Sequence, residues 1–271
     1  MTSMNADLLN RSRKELLAEI VEYFSYDPAV LGIFLGGSLP AGTADHYSDV
    51  DLRVVVTPEE HSRFVASRKD IPKKWSGFLF NEWMEGAIHC VSHYRPFLKV
   101  DIFYYNQAEF CPSPWYSLPT TILYDPGGVV ANVIERSQPF KFETNEKRVD
   151  WVISKGLATA HEVYRRSKRG ELIYAQNLLE EFRSYLAEAD DWINQRVPGN
   201  EPHIKLERRL SKLLLETIEQ SYVASNPKAI ETALLKLLTL FREQFINLHR
   251  MYNLSRPLEN DLYAVNIVLE A

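Results

Sequence analysis

Gly36-Gly37-Ser38-Leu39-Pro40-Ala41-Gly42-Thr43-Ala44-Asp45-His46-Tyr47-Ser48-Asp49-Val50-Asp51 follows the apolar run Val30-Leu31-Gly32-Ile33-Phe34-Leu35 and leads into Leu52-Arg53-Val54-Val55-Val56. That order predicts a strand, a glycine-rich loop and a second strand. A loop of this kind brings backbone N–H groups close to an anion. Strand side chains alternate between faces, so Val50, Leu52, Val54 and Val56 share one face, expected to be buried. Asp49 and Asp51 share the other face with Arg53.

Two carboxylates on one face repel each other, and a divalent ion between them removes that cost. Oxygen-only ligands favour Mg²⁺ or Mn²⁺ over zinc. A bare Asp-x-Asp is also found as a solvated acidic pair at a strand end. The Gly-Gly-Ser loop and the apolar opposite face make Asp49 and Asp51 candidate metal ligands. Phe97-Leu98-Lys99-Val100-Asp101-Ile102-Phe103-Tyr104-Tyr105 reads as another strand, with Asp101 on the face opposite Leu98, Val100, Ile102 and Tyr104. If the two strands are neighbours, Asp49, Asp51 and Asp101 converge as three carboxylates.

Gly37-Ser38, then Gly42-Thr43-Ala44-Asp45 and Ser48-Asp49-Val50-Asp51, resemble the signature of the DNA polymerase β-like nucleotidyltransferase superfamily. Within it the stretch is most similar to the bacterial enzymes that adenylylate aminoglycosides and lincosamides. Pro40-Ala41 departs from the pattern, where many relatives carry a small residue and a basic one. Val100-Asp101-Ile102 looks like the strand that carries the superfamily's third acidic residue. Leu123-Tyr124-Asp125 before Gly127 is similar to the strand that closes the catalytic domain, and Asp125 reads as a turn residue.

The resemblance implies an α+β protein. An N-terminal nucleotidyltransferase domain, residues 1–143, with a mixed sheet flanked by helices, would precede a C-terminal helical bundle, residues 144–271. It implies transfer of a nucleoside monophosphate, AMP from ATP, to a hydroxyl of a small molecule such as an aminoglycoside. Two Mg²⁺ ions would be held by Asp49, Asp51 and Asp101, with Asp101 as ligand, base or both. Gly36, Gly37 and Ser38 would grip the phosphates, and Lys155, on the polar side of its helix with Thr159 and Glu162, would help neutralise them. Trp83, Tyr104 or Trp115 would wall the acceptor. Glu171 in Arg169-Gly170-Glu171 looks like a helix start seen in several antibiotic nucleotidyltransferases. A protein-modifying nucleotidyltransferase and a non-catalytic nucleotide-binding protein on the same fold are the alternatives.

The rest of the chain fits this frame. The net charge of −5 disfavours a nucleic-acid partner and suits a small cationic acceptor. No signal-peptide core or membrane-length apolar run is read, so a cytoplasmic protein is expected. Cys90 and Cys111 suggest no disulfide, and His89 and His93 would point away from Cys90, against a zinc site.

Ser12-Arg13-Lys14-Glu15 has capping-box spacing ahead of a first helix, and a second is expected from about Pro58 to Arg68. In the second half helices are expected over roughly 147–168, 171–194, 203–222 and 227–253, joined as antiparallel neighbours, with a long connection at 196–202. Exposed and buried apolar bundle faces read alike, so no oligomeric state is assigned.

Overall fold

The first helix, α1 (Ala6–Ser25), starts about two turns before Ser12. Asn5 caps it, its side-chain carbonyl accepting from the Asp7 N–H, so the Ser12–Glu15 pattern lies inside the helix and caps nothing. Leu9, Leu16, Ile20 and Phe24 form its buried stripe. The computed structural model describes residues 5–197 and 204–271, and the chain divides into two compact units, Met1–Lys141 and Phe142–Ala271.

The first unit holds a mixed six-stranded sheet built from β1 (Val30–Gly36), β2 (Val50–Val56), β3 (Phe78–Glu82), β4 (His89–Tyr94), β5 (Leu98–Asn106) and β6 (Thr121–Tyr124), in the order β3-β4-β5-β2-β1-β6. The β2–β5 pair is parallel and the other pairs are antiparallel. α2 (Pro58–Ala66) follows β2 with proline at its start, although Thr57 makes no side-chain capping bond.

Alternation decides what is buried. Val50, Leu52, Val54 and Val56 pack with Val100, Ile102 and Tyr104 against the apolar stripe of α1. Tyr104 is therefore a core residue between Phe24 and Phe64, and cannot wall an acceptor as the sequence suggested. Trp83 and Trp115 are exposed.

A second, smaller core joins Phe34, Val55 and Phe110 to Val130 and Val133 of α3 (Val129–Ser137). The sequence reading had no helix there. Asp125 sets it up by accepting from the Val130 and Ala131 N–H groups, which is the local structural role expected of it.

The second unit is helical: α4 (Glu146–Lys168), α5 (Leu172–Ile193), α6 (Leu206–Arg209), α7 (Lys212–Gln220), α8 (Pro227–Tyr252) and α9 (Leu258–Leu269). Val152, Ile153, Leu179, Phe182, Leu238, Phe241 and Phe245 lie in its core. Gly156 lets α4 approach α8, since a Cβ there would overlap the Phe241 ring. The single helix expected over 203–222 is instead α6 and α7, separated by extended backbone at Leu210. The start of that helix and the 198–202 part of the expected connection lie outside the described residues.

α9 was not expected. It is tied in by Arg256, which donates to both Asp261 and Asp150, and by the buried pair of His249 with Asp261. Among the described residues no helix is long and apolar enough to cross a membrane.

Candidate active site

The site follows from one register. In the parallel pair Val50 stands opposite Val100, Asp51 opposite Asp101, Leu52 opposite Ile102 and Arg53 opposite Phe103. Even positions of both strands enter the core, so the odd positions share the other face in rows. Like charges directly across a strand pair destabilise it. Asp51 facing Asp101 is therefore a costly arrangement that the rest of the site must offset.

Lys99 provides part of the offset. Its Nζ donates to Asp49 Oδ2 at 3.0 Å and to Asp101 Oδ2 at 3.2 Å. Burial works against charge on this ammonium, but the hydrogen bond from Lys99 to Asp49 and the charges of Asp101 and Asp49 outweigh it, raising the Lys99 pKa. Burial likewise raises the Asp101 pKa to about 6, opposed by Lys99 and aided by the charges of Asp49 and Asp51. Asp101 Oδ1 is buried and has no hydrogen-bond partner.

On the other side of the carboxylates Arg53 lies between the rings of Phe34 and Phe103, at 6.0 and 5.7 Å, and donates to the Asp51 carbonyl oxygen. Its guanidinium covers Gly36, where a Cβ would overlap it. At Gly37 a Cβ would overlap Asp51 Oδ2, and φ is +73°. At Gly37 the positive φ and the Asp51 carboxylate both favour glycine, whereas a side chain at position 36 would make the flexible end of Arg53 move aside. The Ser38 hydroxyl is buried with no partner, available to an incoming group.

The loop between the glycines and Asp49 is held from α1. Arg13 donates to the carbonyl oxygens of Asp45 and Ser48 at 2.8 and 2.9 Å, and Asp45 Oδ1 accepts from the Tyr47 N–H. Asp49 itself precedes the first residue of β2.

The carboxylates are adjacent without being preassembled. Among the described residues no three His, Cys, Asp or Glu side chains already form a metal-holding group. Lys99 stands between Asp49 and Asp101 instead. The donor chemistry nevertheless fits a hard divalent ion, because all three groups are carboxylates and two oxygen atoms, Asp101 Oδ1 and Ser38 Oγ, are buried without partners.

The remaining sequence candidates belong to the second unit. Lys155 is exposed on α4, 6.0 Å from the Trp151 ring centre, at a cavity of about 600 Å³ that Glu162, Arg165, Tyr174 and Glu181 also line. Thr159 is buried and so is not on the polar side of the helix, because α4 is covered there as well. Glu171 pairs with Arg166, which also pairs with Glu162.

Lys99, Arg53 and Arg13 escaped the sequence reading as site residues. Lys99 shares a strand face with Asp101, but its second partner, Asp49, lies fifty residues away in the chain. Arg13 was not, since its targets are backbone oxygens far along the chain.

Comparison with known proteins gives the chain its place. No curated protein matches it significantly. Among solved structures it is similar to an aminoglycoside 6-adenyltransferase from Bacillus subtilis, with a TM-score of 0.45 and 12% identity, over 96% of this chain and 99% of that one. It is also similar to a nucleotidyltransferase-like protein from Exiguobacterium sibiricum, with a TM-score of 0.43 and 15% identity, over 96% and 88% of the two chains. The model of the streptomycin adenylyltransferase family matches residues 10–266, and the chain belongs to that family, an adenylyltransferase of the DNA polymerase β-like nucleotidyltransferase superfamily.

Proposed function

We propose that this adenylyltransferase moves AMP from ATP, with Mg²⁺ as cofactor, to a hydroxyl of a small cationic acceptor of aminoglycoside type in the cytosol. The observation that carries the reading is the cross-strand pairing of Asp51 with Asp101 beside a loop whose Gly37 has a positive φ and no room for a side chain next to the Asp51 carboxylate. The net charge of −5 suits a cationic acceptor better than a nucleic acid.

Asp49, Asp51 and Asp101 are the residues that would hold Mg²⁺. When bound, the ion supplies positive charge to the phosphate oxygens and makes the acceptor hydroxyl more acidic. The Gly36–Ser38 backbone and the Ser38 hydroxyl hold the phosphates, and Lys155 is proposed as a further phosphate ligand. Asp101 Oδ1 takes the acceptor's hydroxyl proton. The freed oxygen bonds to the α-phosphorus as that atom's bond to the bridging oxygen breaks, and pyrophosphate leaves.

The test is pyrophosphate release with each of the four nucleoside triphosphates, with and without Mg²⁺, across a panel of aminoglycosides and lincosamides. Release that requires ATP, Mg²⁺, an acceptor and Asp51 is expected. Release that persists in Asp51→Asn overturns the assignment, and nucleotide binding with no acceptor-dependent release overturns the antibiotic part of it.

A further inference from the structure

Lys99 stands between Asp49 and Asp101. Its Nζ lies 3.0 Å from Asp49 Oδ2 and 3.2 Å from Asp101 Oδ2, so one ammonium bridges a residue at the mouth of β2 and one inside β5. Asp49, just before β2, is reached by Lys99, and Asp51 and Asp101 face each other within the strand pair. Two of the three carboxylates, Asp49 and Asp101, therefore share one ammonium.

We infer that Lys99 is the resident counter-ion of the carboxylate site, and that its ammonium and a divalent ion compete for Asp49 and Asp101. The inference rests on the reading of these carboxylates as the metal site and deepens it.

The physical case has three parts. An ammonium in hydrogen-bond contact with two carboxylates engages the electron pairs that a cation would coordinate, and two cations sharing the same oxygens repel each other. Without Lys99, Asp49 and Asp101 would lose the ammonium they share, so the apo sheet is stabilised by a cation there. Finally, the Lys99 side chain is 39% exposed on a flexible four-carbon stem. It can withdraw into water at far less cost than a fully buried partner. A buried arginine fork would block the site permanently, whereas this lysine blocks it reversibly.

The consequence is a threshold. Free Mg²⁺ must displace Lys99 before Asp49 and Asp101 become its ligands, so ion affinity in the absence of nucleotide is held down by the protein's own side chain.

The experiment is Mn²⁺ binding to the full-length protein without nucleotide, followed by electron paramagnetic resonance, for wild type, Lys99→Met and Lys99→Gln. Both variants are expected to bind Mn²⁺ about ten-fold or more tightly than wild type, the scale on which an adjacent charge alters a carboxylate's affinity for a cation. Equal or weaker binding in the variants, with Mn²⁺ still bound, overturns the competition and leaves the metal reading standing. No Mn²⁺ bound by any of the proteins overturns both.

A measurement on wild type alone covers the case in which neither variant folds. Acylation of Lys99, followed by peptide mass mapping, should accelerate when Mn²⁺ is added, because the displaced amine enters water. An acylation rate unmoved by saturating Mn²⁺ overturns the proposal.

Discussion

Asp51 and Asp101 stand level with each other across the parallel β2–β5 pair, on the face opposite the larger apolar core. A protein selected only for stability has no reason to set two acids opposite each other. The arrangement is therefore where function and stability should separate most clearly under mutation.

Asp51→Asn should lower acceptor-dependent pyrophosphate release at least about a thousand-fold, as expected when several kcal/mol of charge stabilisation are lost. The circular-dichroism spectrum and melting temperature should stay close to those of wild type, because the substitution is isosteric and removes a like-charge contact. A variant that is inactive because it is unfolded would leave the role of Asp51 without support.

Asp101→Asn should stabilise the metal-free protein in a pH-dependent way. Burial raises the Asp101 pKa from 3.8 to about 6, so the folded chain holds this proton more tightly than the unfolded one. The stability linked to that proton is fully present below about pH 3.8 and is lost as pH rises through 6. At pH 8 the ionised Asp101 therefore costs the fold on the order of 3 kcal/mol, which asparagine does not. Urea titrations of both proteins in chelator should show a gap that opens between pH 4 and pH 7 and then stays constant. A gap of one size at all pH values would mean that Asp101 titrates normally.

Gly37→Ala should cost about 1–2 kcal/mol, since alanine is strained at a positive φ. It should also reduce transfer sharply, because the new methyl group displaces the Asp51 carboxylate. Gly42→Ala is the control: its φ is +67° but nothing lies near its Cβ, so it should share the backbone cost and retain more activity. Thermal melts and initial rates of the two variants separate strain from displacement.

Gly156→Ala should destabilise the helical unit by about 1–3 kcal/mol through overpacking against Phe241. Combining it with Phe241→Leu should recover part of the loss, and a double-mutant cycle in urea measures the coupling. Strict additivity would contradict the contact.

Much of the first unit could be read in advance because one physical rule, alternation, fixes both the core and the site. Val50, Leu52, Val54 and Val56 are buried, and Asp51 and Asp101 share the opposite face. What stayed hidden depends on partners distant in sequence. Lys99 reads as an ordinary polar strand residue until β5 is placed beside β2, and Arg13 reads as the exposed side of α1 until the loop it holds is folded back onto it. α3 and α9 are short, and their stabilising contacts, Asp125 at one and Arg256 at the other, are tertiary or lie outside the helix itself. At Thr159 helical periodicity misplaced a residue because a core helix is covered on more than one side.

The guanidinium of Arg53 fills the space that a side chain at position 36 would take. The two positions are therefore coupled in evolutionary change. A side chain at 36 makes the Arg53 guanidinium swing aside or residue 53 shorten, and replacing Arg53 with a smaller residue frees position 36. Among relatives that keep this loop, identities at 36 and 53 should covary, so that a steric contact at the edge of the site becomes a rule about which ancestors could have led to which descendants.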